Sequence, residues 1–566
     1  MRPVFSKESC MYATFARRYL FVSMLIAACF APPFAMRGAA QGGEPECFAI
    51  RGAKIYPVSG PPLENGTIVI TRGLITAVGT NATIPPEAWV IEGKGLIVYP
   101  GLIDSFADVG LPAAPASAGG EGPRAPQGVS RGPEDRPATT PWRSAADEAS
   151  LTDKRVETWR GAGFTTVVSA QKGGIFPGQA AVLNLAGDRA GDMVVRASVA
   201  VPVALQPSGG LANFPGSLMG VLSYVRQVWL DTDWYTKAVA IYEKNPRGVE
   251  RPAYDRTEAA LAEALEERAL VLIPANTALQ LRRGLGLADH WKVNAVLYGG
   301  QQGYEAANEI AAKKLPVLVN LQWPEKPKDA DPDAEPSLRT LHFRDRAPST
   351  PAAFAKAGVK FAFYSGGISA PKEILKAVKK SIDAGLSADD ALRALTLAPA
   401  QIFGVADRLG TLETGKIANL VLTDGDLFAE KTKVKLVFVD GRKFEVREPA
   451  RPSEPPKGDL SGKWKLSYTT PDGPEEATAD LTMASDGTLS GTVTGKRGTA
   501  TLTTGWVSVE KFSFTVNILL QGEPFDVIFT GTFEKDSMKG TLAVPGFSID
   551  FTGTKPGAQL TTRAEE

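Results

Sequence analysis

From about Gly101 to Phe403 the chain repeats one rhythm, a short apolar run followed by an amphipathic stretch and then another apolar run. FTTVVSA, DMVVRASVAV, ALVLIPA, NAVLYGG, LPVLVNL and VKFAFYSG read as strands. EAANEIAAKKL and PKEILKAVKKSIDAGLSADDALRAL read as helices between them. Alternation of the two types predicts strands joined by crossover helices. Sustained over roughly 250–300 residues, it predicts an α/β fold built on a (β/α)8 TIM-like barrel of parallel strands. The barrel is expected over residues 99–403. A Pro- and Gly-rich stretch at 113–140 predicts a long mobile loop just after the first strand. A second such loop, PEKPKDADPDAEPS, precedes His342.

Both flanks of this segment change pattern. AIRGAKIYPVSGPPLENGTIVITRGLITAVGT alternates short β-rich runs with the turn pairs Asn65-Gly66 and Arg72-Gly73. GTLETGKIANLVLTDGDLF and VKLVFVDGRKFEV repeat that texture some 300 residues later. One composite β-sandwich, drawn from residues 46–98 and 404–447, is the expected result. Residues 448–458 form a Pro-rich linker. The next segment, 459–556, holds eight alternating runs separated by turn signals, which predicts a closed antiparallel β-barrel, followed by a tail at 557–566. Gly462-Lys463-Trp464 resembles the start of lipocalin-like barrels. Trp464, Phe512, Phe514 and Phe529 are expected to fill its interior.

Residues 1–40 read as a signal peptide: Arg17 and Arg18 precede the apolar run YLFVSMLIAACF, and small residues follow. The run is short for a membrane span, so the expectation is an exported periplasmic or extracellular protein with no span after cleavage. Lipid attachment at Cys29 is the variant. Cys10 and Cys29 would leave with the signal, and Cys47 alone forms no internal disulfide. Lys plus Arg and Asp plus Glu number 62 each, which gives no electrostatic footprint for nucleic acid.

The strand VYPGLID and the tail GLSADDALRALTLAPAQIFGVADRLGTLETGKIANLVLTDGD resemble the amidohydrolase superfamily. The matching tail elements are A-L-R-A-x-T, P-A and G-x-L-E-x-G-K-x-A-N-L-V, and the resemblance covers about residues 46–447. GGIFPGQAAVLNLAGD and FPGSLMGVLSYVRQVWLDTDWY are similar to an exported bacterial subgroup. Leu218, Val221, Leu222, Val225 and Trp229 recur at helical spacing in the latter, which predicts an amphipathic helix. The resemblance implies zinc or another divalent metal at the carboxyl ends of barrel strands, activating water to hydrolyse carbon–nitrogen bonds other than peptide bonds. It also implies a homodimer.

At the ligand positions that the resemblance implies, the histidines and the acid are missing, and only Asp108 could offer a carboxylate oxygen. The first strand's His-x-His falls on Phe106 and Asp108, and a middle-strand histidine falls on Pro274. The next falls on Tyr298 or Gly299, and the acid of the last strand falls on Gly366. The chain holds two histidines, His290 expected late in a helix and His342 expected in a loop. No metal or other cofactor is therefore expected. Asp104, Asp108 and Ser365, near strand ends, form a candidate pocket with Lys172, whose place after a strand makes it the candidate bridging lysine. Three readings follow: a non-catalytic pseudoenzyme used for binding or scaffolding, with an unknown small molecule as possible ligand; an atypical hydrolase; and an apolar-ligand carrier working through the C-terminal barrel.

Overall fold

The computed structural model describes residues 46–112, 136–207, 214–326, 335–446, 454–470, 473–496, 498–520, 523–544 and 547–555. The signal at 1–40, the tail at 557–566 and most of the 113–140 loop and the linker lie outside these residues.

The two flanks join in one eight-stranded sheet. Cys47–Ile55, Leu63–Thr71, Leu74–Gly79, Trp89–Glu92 and Ile97–Pro100 come from the first flank, and Leu420–Thr423, Val434–Val439 and Arg442–Glu445 from the second. The join is an antiparallel ladder of Ile97–Pro100 with Leu420–Thr423. Side chains alternate across the sheet with the period of two that a strand imposes. Phe48, Ile50, Leu420, Leu422 and Phe438 pack in one cluster, while Val421 packs on the other side with Val437 and Val439.

The barrel has eight strands: β1 (Leu102–Ala107), β2 (Phe164–Ser169), β3 (Ala180–Asn184), β4 (Val194–Pro202), β5 (Leu270–Ala275), β6 (Ala295–Gly299), β7 (Val317–Asn320) and β8 (Phe361–Tyr364). They neighbour one another in chain order. Every pairing is parallel except those of β3, which runs antiparallel to β2 and β4. The expectation of a wholly parallel barrel is corrected at this one strand. AAVLN was missed because it returns through the loop at 170–179, with no crossover helix to announce it.

Ala295, Leu297, Phe361 and Phe363 face the helices. Ile103, Val168, Val182, Leu272, Val296, Leu318 and Ala362 fill the barrel. Ala400, Phe403, Val405 and Leu409, from the segment after the last barrel helices, join that interior cluster. Helices include α1 (Lys154–Gly161), α2 (Leu218–Lys244), α3 (Arg256–Glu266) and α4 (Ala278–Trp291). Among the described residues no helix is long and apolar enough to cross a membrane.

The seam between β1 and β8 is bridged by a carboxylate. Asp104 is 1% exposed, and its Oδ1 accepts from the backbone N–H of Ser365 at 3.0 Å and of Phe106 at 3.5 Å. Its Oδ2 accepts from Trp159 Nε1 of α1 at 3.2 Å. Burial raises its pKa, working against the donors, which favour the charge.

The C-terminal segment is a closed eight-stranded antiparallel barrel whose first strand, Gly462–Thr470, pairs with its last, Phe547–Thr554. Trp464, Phe512, Phe514, Phe529 and Phe551 are all buried in its core. The Phe514 and Phe529 rings stack at 4.7 Å, and Trp464 Nε1 donates to Leu460 O at 2.9 Å.

Two stability predictions follow from these contacts. Asp104→Ala strands three buried donors, so it should cost roughly 3 kcal/mol or more in denaturant unfolding at neutral pH. A raised folded-state pKa favours the fold most below the unfolded value, and this contribution fades as pH rises through the folded value. The stability gap between wild type and Asp104→Ala should accordingly widen as pH falls; a gap that is flat or narrows contradicts the assignment. Phe514→Ala should destabilise the C-terminal barrel by about 3–5 kcal/mol, read by tryptophan fluorescence during unfolding.

Candidate functional site

The mouth of the large barrel is built by the last residues of its strands and the first ones after them. Asp104 fixes two of them directly, because its Oδ1 holds the N–H of Phe106 and that of Ser365, the residue before Gly366. The β1–β2 register also shifts between Asp104 and Ala107, which re-aims the end of β1.

Phe106 meets two tyrosines there. Its ring centroid lies 5.0 Å from Tyr298 and 5.8 Å from Tyr364, and the two tyrosines are 6.5 Å apart in an edge-on arrangement. Such tilted and edge-to-face pairs are the favoured aromatic geometries. Tyr298 stands beside Pro274 in the β5–β6 ladder, so two of the expected ligand positions are direct neighbours. The Tyr298 hydroxyl donates to Val203 O at 3.3 Å, and burial pushes its pKa up to about 12. Burial also raises the Tyr364 phenol, which bonds the Asn320 side chain. Both rings are therefore neutral near pH 7.

Gly366 has φ +65°, in the left-handed region. A Cβ there would meet Asn320 Oδ1 at 1.8 Å. Asn320 is held in turn by the backbone N–H of Gln322, which donates to its Oδ1 at 2.7 Å. Any side chain at 366 thus meets both backbone strain and a fixed amide. Gly299, the alternative to Tyr298, is also closed, since a Cβ would lie 2.2 Å from Asn276 Oδ1.

Asp108 and Lys172 come together in an ion pair of 3.0 Å. The other oxygen of Asp108 is 3.0 Å from Arg155 Nη1, and Arg155 also binds Asp153 and donates to the carbonyls of Asp108 and Leu111. The Lys172 ammonium is largely exposed, and its partner is a carboxylate. Asp104 and Ser365 form the second close pair in the candidate pocket. Sequence reasoning missed Tyr364, Asn320, Trp159 and Arg155. Tyr364 and Asn320 could have been found as residues at the carboxyl ends of their strands, where barrel sites are built.

His290 is exposed near the end of α4. His342 is also exposed, but it lies in the helix Leu338–Arg346, which corrects the loop expectation. Ser337 caps that helix through Thr340 N, and its short polar sequence hid it behind the Pro-rich segment. The donor set at the mouth does not fit a divalent cation. Phenylalanine, proline and glycine offer no side-chain ligand, a phenol of pKa about 12 is a poor one, and Asp108, the one carboxylate at these positions, is ion-paired with Arg155 and Lys172. Among the described residues no group of three His, Cys, Asp or Glu side chains is arranged to hold a metal ion.

In the C-terminal barrel, the stacked phenylalanines occupy the interior where an apolar ligand would sit. A concavity of about 640 Å3 lies on its outer face, lined by Lys511, Thr530, Thr532, Lys539, Thr541 and Asp550.

Residues 344–444 match the amidohydrolase family. No curated protein matches the chain. Among solved structures, an amidohydrolase from Thermotoga maritima MSB8 is 23% identical with a TM-score of 0.57, over 70% of this chain and 100% of that one. A Xaa-Pro dipeptidase with bound methionine in its active site covers 70% of this chain and 100% of its own at 16% identity and a TM-score of 0.43. A molinate hydrolase covers 71% and 96% at 16% identity and a TM-score of 0.44. The last two likenesses are too distant to argue from. The barrel with its two-flank sheet has the fold of an amidohydrolase, and the stretch from Arg344 to Phe444 carries that family's sequence.

Proposed function

We propose that this chain is a non-catalytic protein of amidohydrolase fold, retained for binding or scaffolding, and exported by the leader at its amino terminus. One observation carries the reading: Phe106 packs against Tyr298 and Tyr364 where the fold's metal ligands would stand. Neither nearby carboxylate is free to replace the metal as a base. Asp104 is buried under three donors, and Asp108 is held between Arg155 and Lys172. Ser365 has no histidine beside it, so no nucleophile–base pair forms. The apolar run behind Arg17-Arg18 supports export.

The test uses the full chain purified from medium supplemented with zinc, manganese or cobalt. Substoichiometric metal by mass spectrometry, and no chelator-sensitive hydrolysis of N-acyl amino acids, dipeptides or cyclic amides, is the expected outcome. Stoichiometric metal with chelator-sensitive turnover overturns the reading. A second prediction concerns the acid's place. Gly366→Asp should cost roughly 1–3 kcal/mol from backbone strain alone and confer no hydrolysis. Adding Asn320→Ala should recover part of the loss, and simple additivity of the two substitutions would contradict the described clash.

A further inference from the structure

Helix α2 is apolar on two opposite faces. Val221, Tyr224, Val225, Val228, Trp229 and Thr232 are buried against the rest of the protein. Arg136 fastens the helix further, reaching Asp231 on α2 at 3.0 Å, Asp255 at 3.3 Å and Glu258 on α3 at 2.7 Å. On the far side Met219 is 79% exposed, Leu230 52%, Trp234 66% and Ile241 62%. At 100° per residue these four fall within about 60° of one another, a single stripe running the length of the helix. An ordinary surface helix carries its apolar stripe on the core side only. A second stripe pointing to solvent marks an association surface.

The order of residues along the stripe names the occupant. Met219 and Ile241 stand at equal distances, about three turns, on either side of Leu230. If two copies of α2 lie antiparallel with a twofold axis at Leu230, each position faces its mirror. Met219 then meets Ile241 of the second copy, and Leu230 meets its own counterpart. Arg226 meets Trp234, a cation over an indole face. Gln227 meets Asp233, and Ser223 meets Lys237. All of these residues are exposed in the single chain. No two like charges oppose each other, and both apolar ends find apolar partners, as an isologous interface requires. A lipid surface is a poorer match, because Asp233 and Gln227 would enter it with the apolar residues.

We propose that the outer face of α2 is the surface through which two copies of this chain associate, antiparallel, about an axis at Leu230. The proposal is independent of the barrel mouth and stands whether or not the chain binds metal. It is tested with the full chain in which Cys10 and Cys29 are replaced by serine, leaving only the buried Cys47. Under mild oxidation Leu230→Cys should give a disulfide-linked dimer in high yield. Met219→Cys and Ile241→Cys should not do so singly, and the double variant should.

Sedimentation should show a dimer for the parent. Leu230→Glu should raise its dissociation constant roughly thirtyfold, the size of a central hot spot, with an unchanged circular-dichroism spectrum. Homotypic cross-linking at Met219→Cys means a parallel pair and overturns the geometry. A parent that is monomeric at all concentrations overturns the proposal, as does a dimer indifferent to Leu230→Glu. Co-sedimentation of a monomeric parent with phosphatidylcholine–phosphatidylglycerol vesicles, lost in Leu230→Glu, assigns the stripe to membrane and also overturns it.

Discussion

The large barrel closes on one buried carboxylate. Asp104 joins the first strand to the residue after the last strand, 261 positions away, and ties both to Trp159 of α1. Burying a carboxylate is costly unless donors surround it, and here three do. The same bonds set the backbone of Phe106 and of Ser365, next to Gly366. One carboxylate thus positions both ends of the expected metal cradle.

At the mouth the rings pack against one another as they would in a core. A metal centre requires several charged or polar donors to converge, which repel one another or remain desolvated when no ion is bound. Phe106, Tyr298 and Tyr364 exchange that arrangement for ring–ring contacts contiguous with the apolar barrel interior. Asn320 then occupies the space over Gly366, so the acid's position is closed by packing as well as by identity.

The parts of the sequence that identify the family are structural ones. In LAPAQIFGV, Ala400, Ile402, Phe403 and Val405 pack into the barrel interior. In KIANLVL, Asn419 Nδ2 donates to Asn184 Oδ1 at 2.8 Å and Thr166 Oγ1 at 3.1 Å, while its Oδ1 accepts from Asp440 N at 2.8 Å, which locks sheet to barrel. These motifs do structural work in the fold, so they are legible in the sequence whatever stands at the barrel mouth. The strands β2 and β4–β8 were legible from their apolar runs, and the eight C-terminal strands from alternation. The antiparallel β3 and the helix around His342 were not. The aromatic plug and the Asp104 seam depend on closure between segments far apart in sequence. Local pattern could show that ligands were absent at Phe106 and Gly366 but not what stood in their place.

The most direct measurement is diffraction at the zinc absorption edge from crystals of the full chain grown with excess zinc. The account predicts no anomalous peak among Phe106, Pro274, Tyr298 and Gly366, with the three rings in contact. A fully occupied peak at that mouth, with the rings displaced, would contradict it.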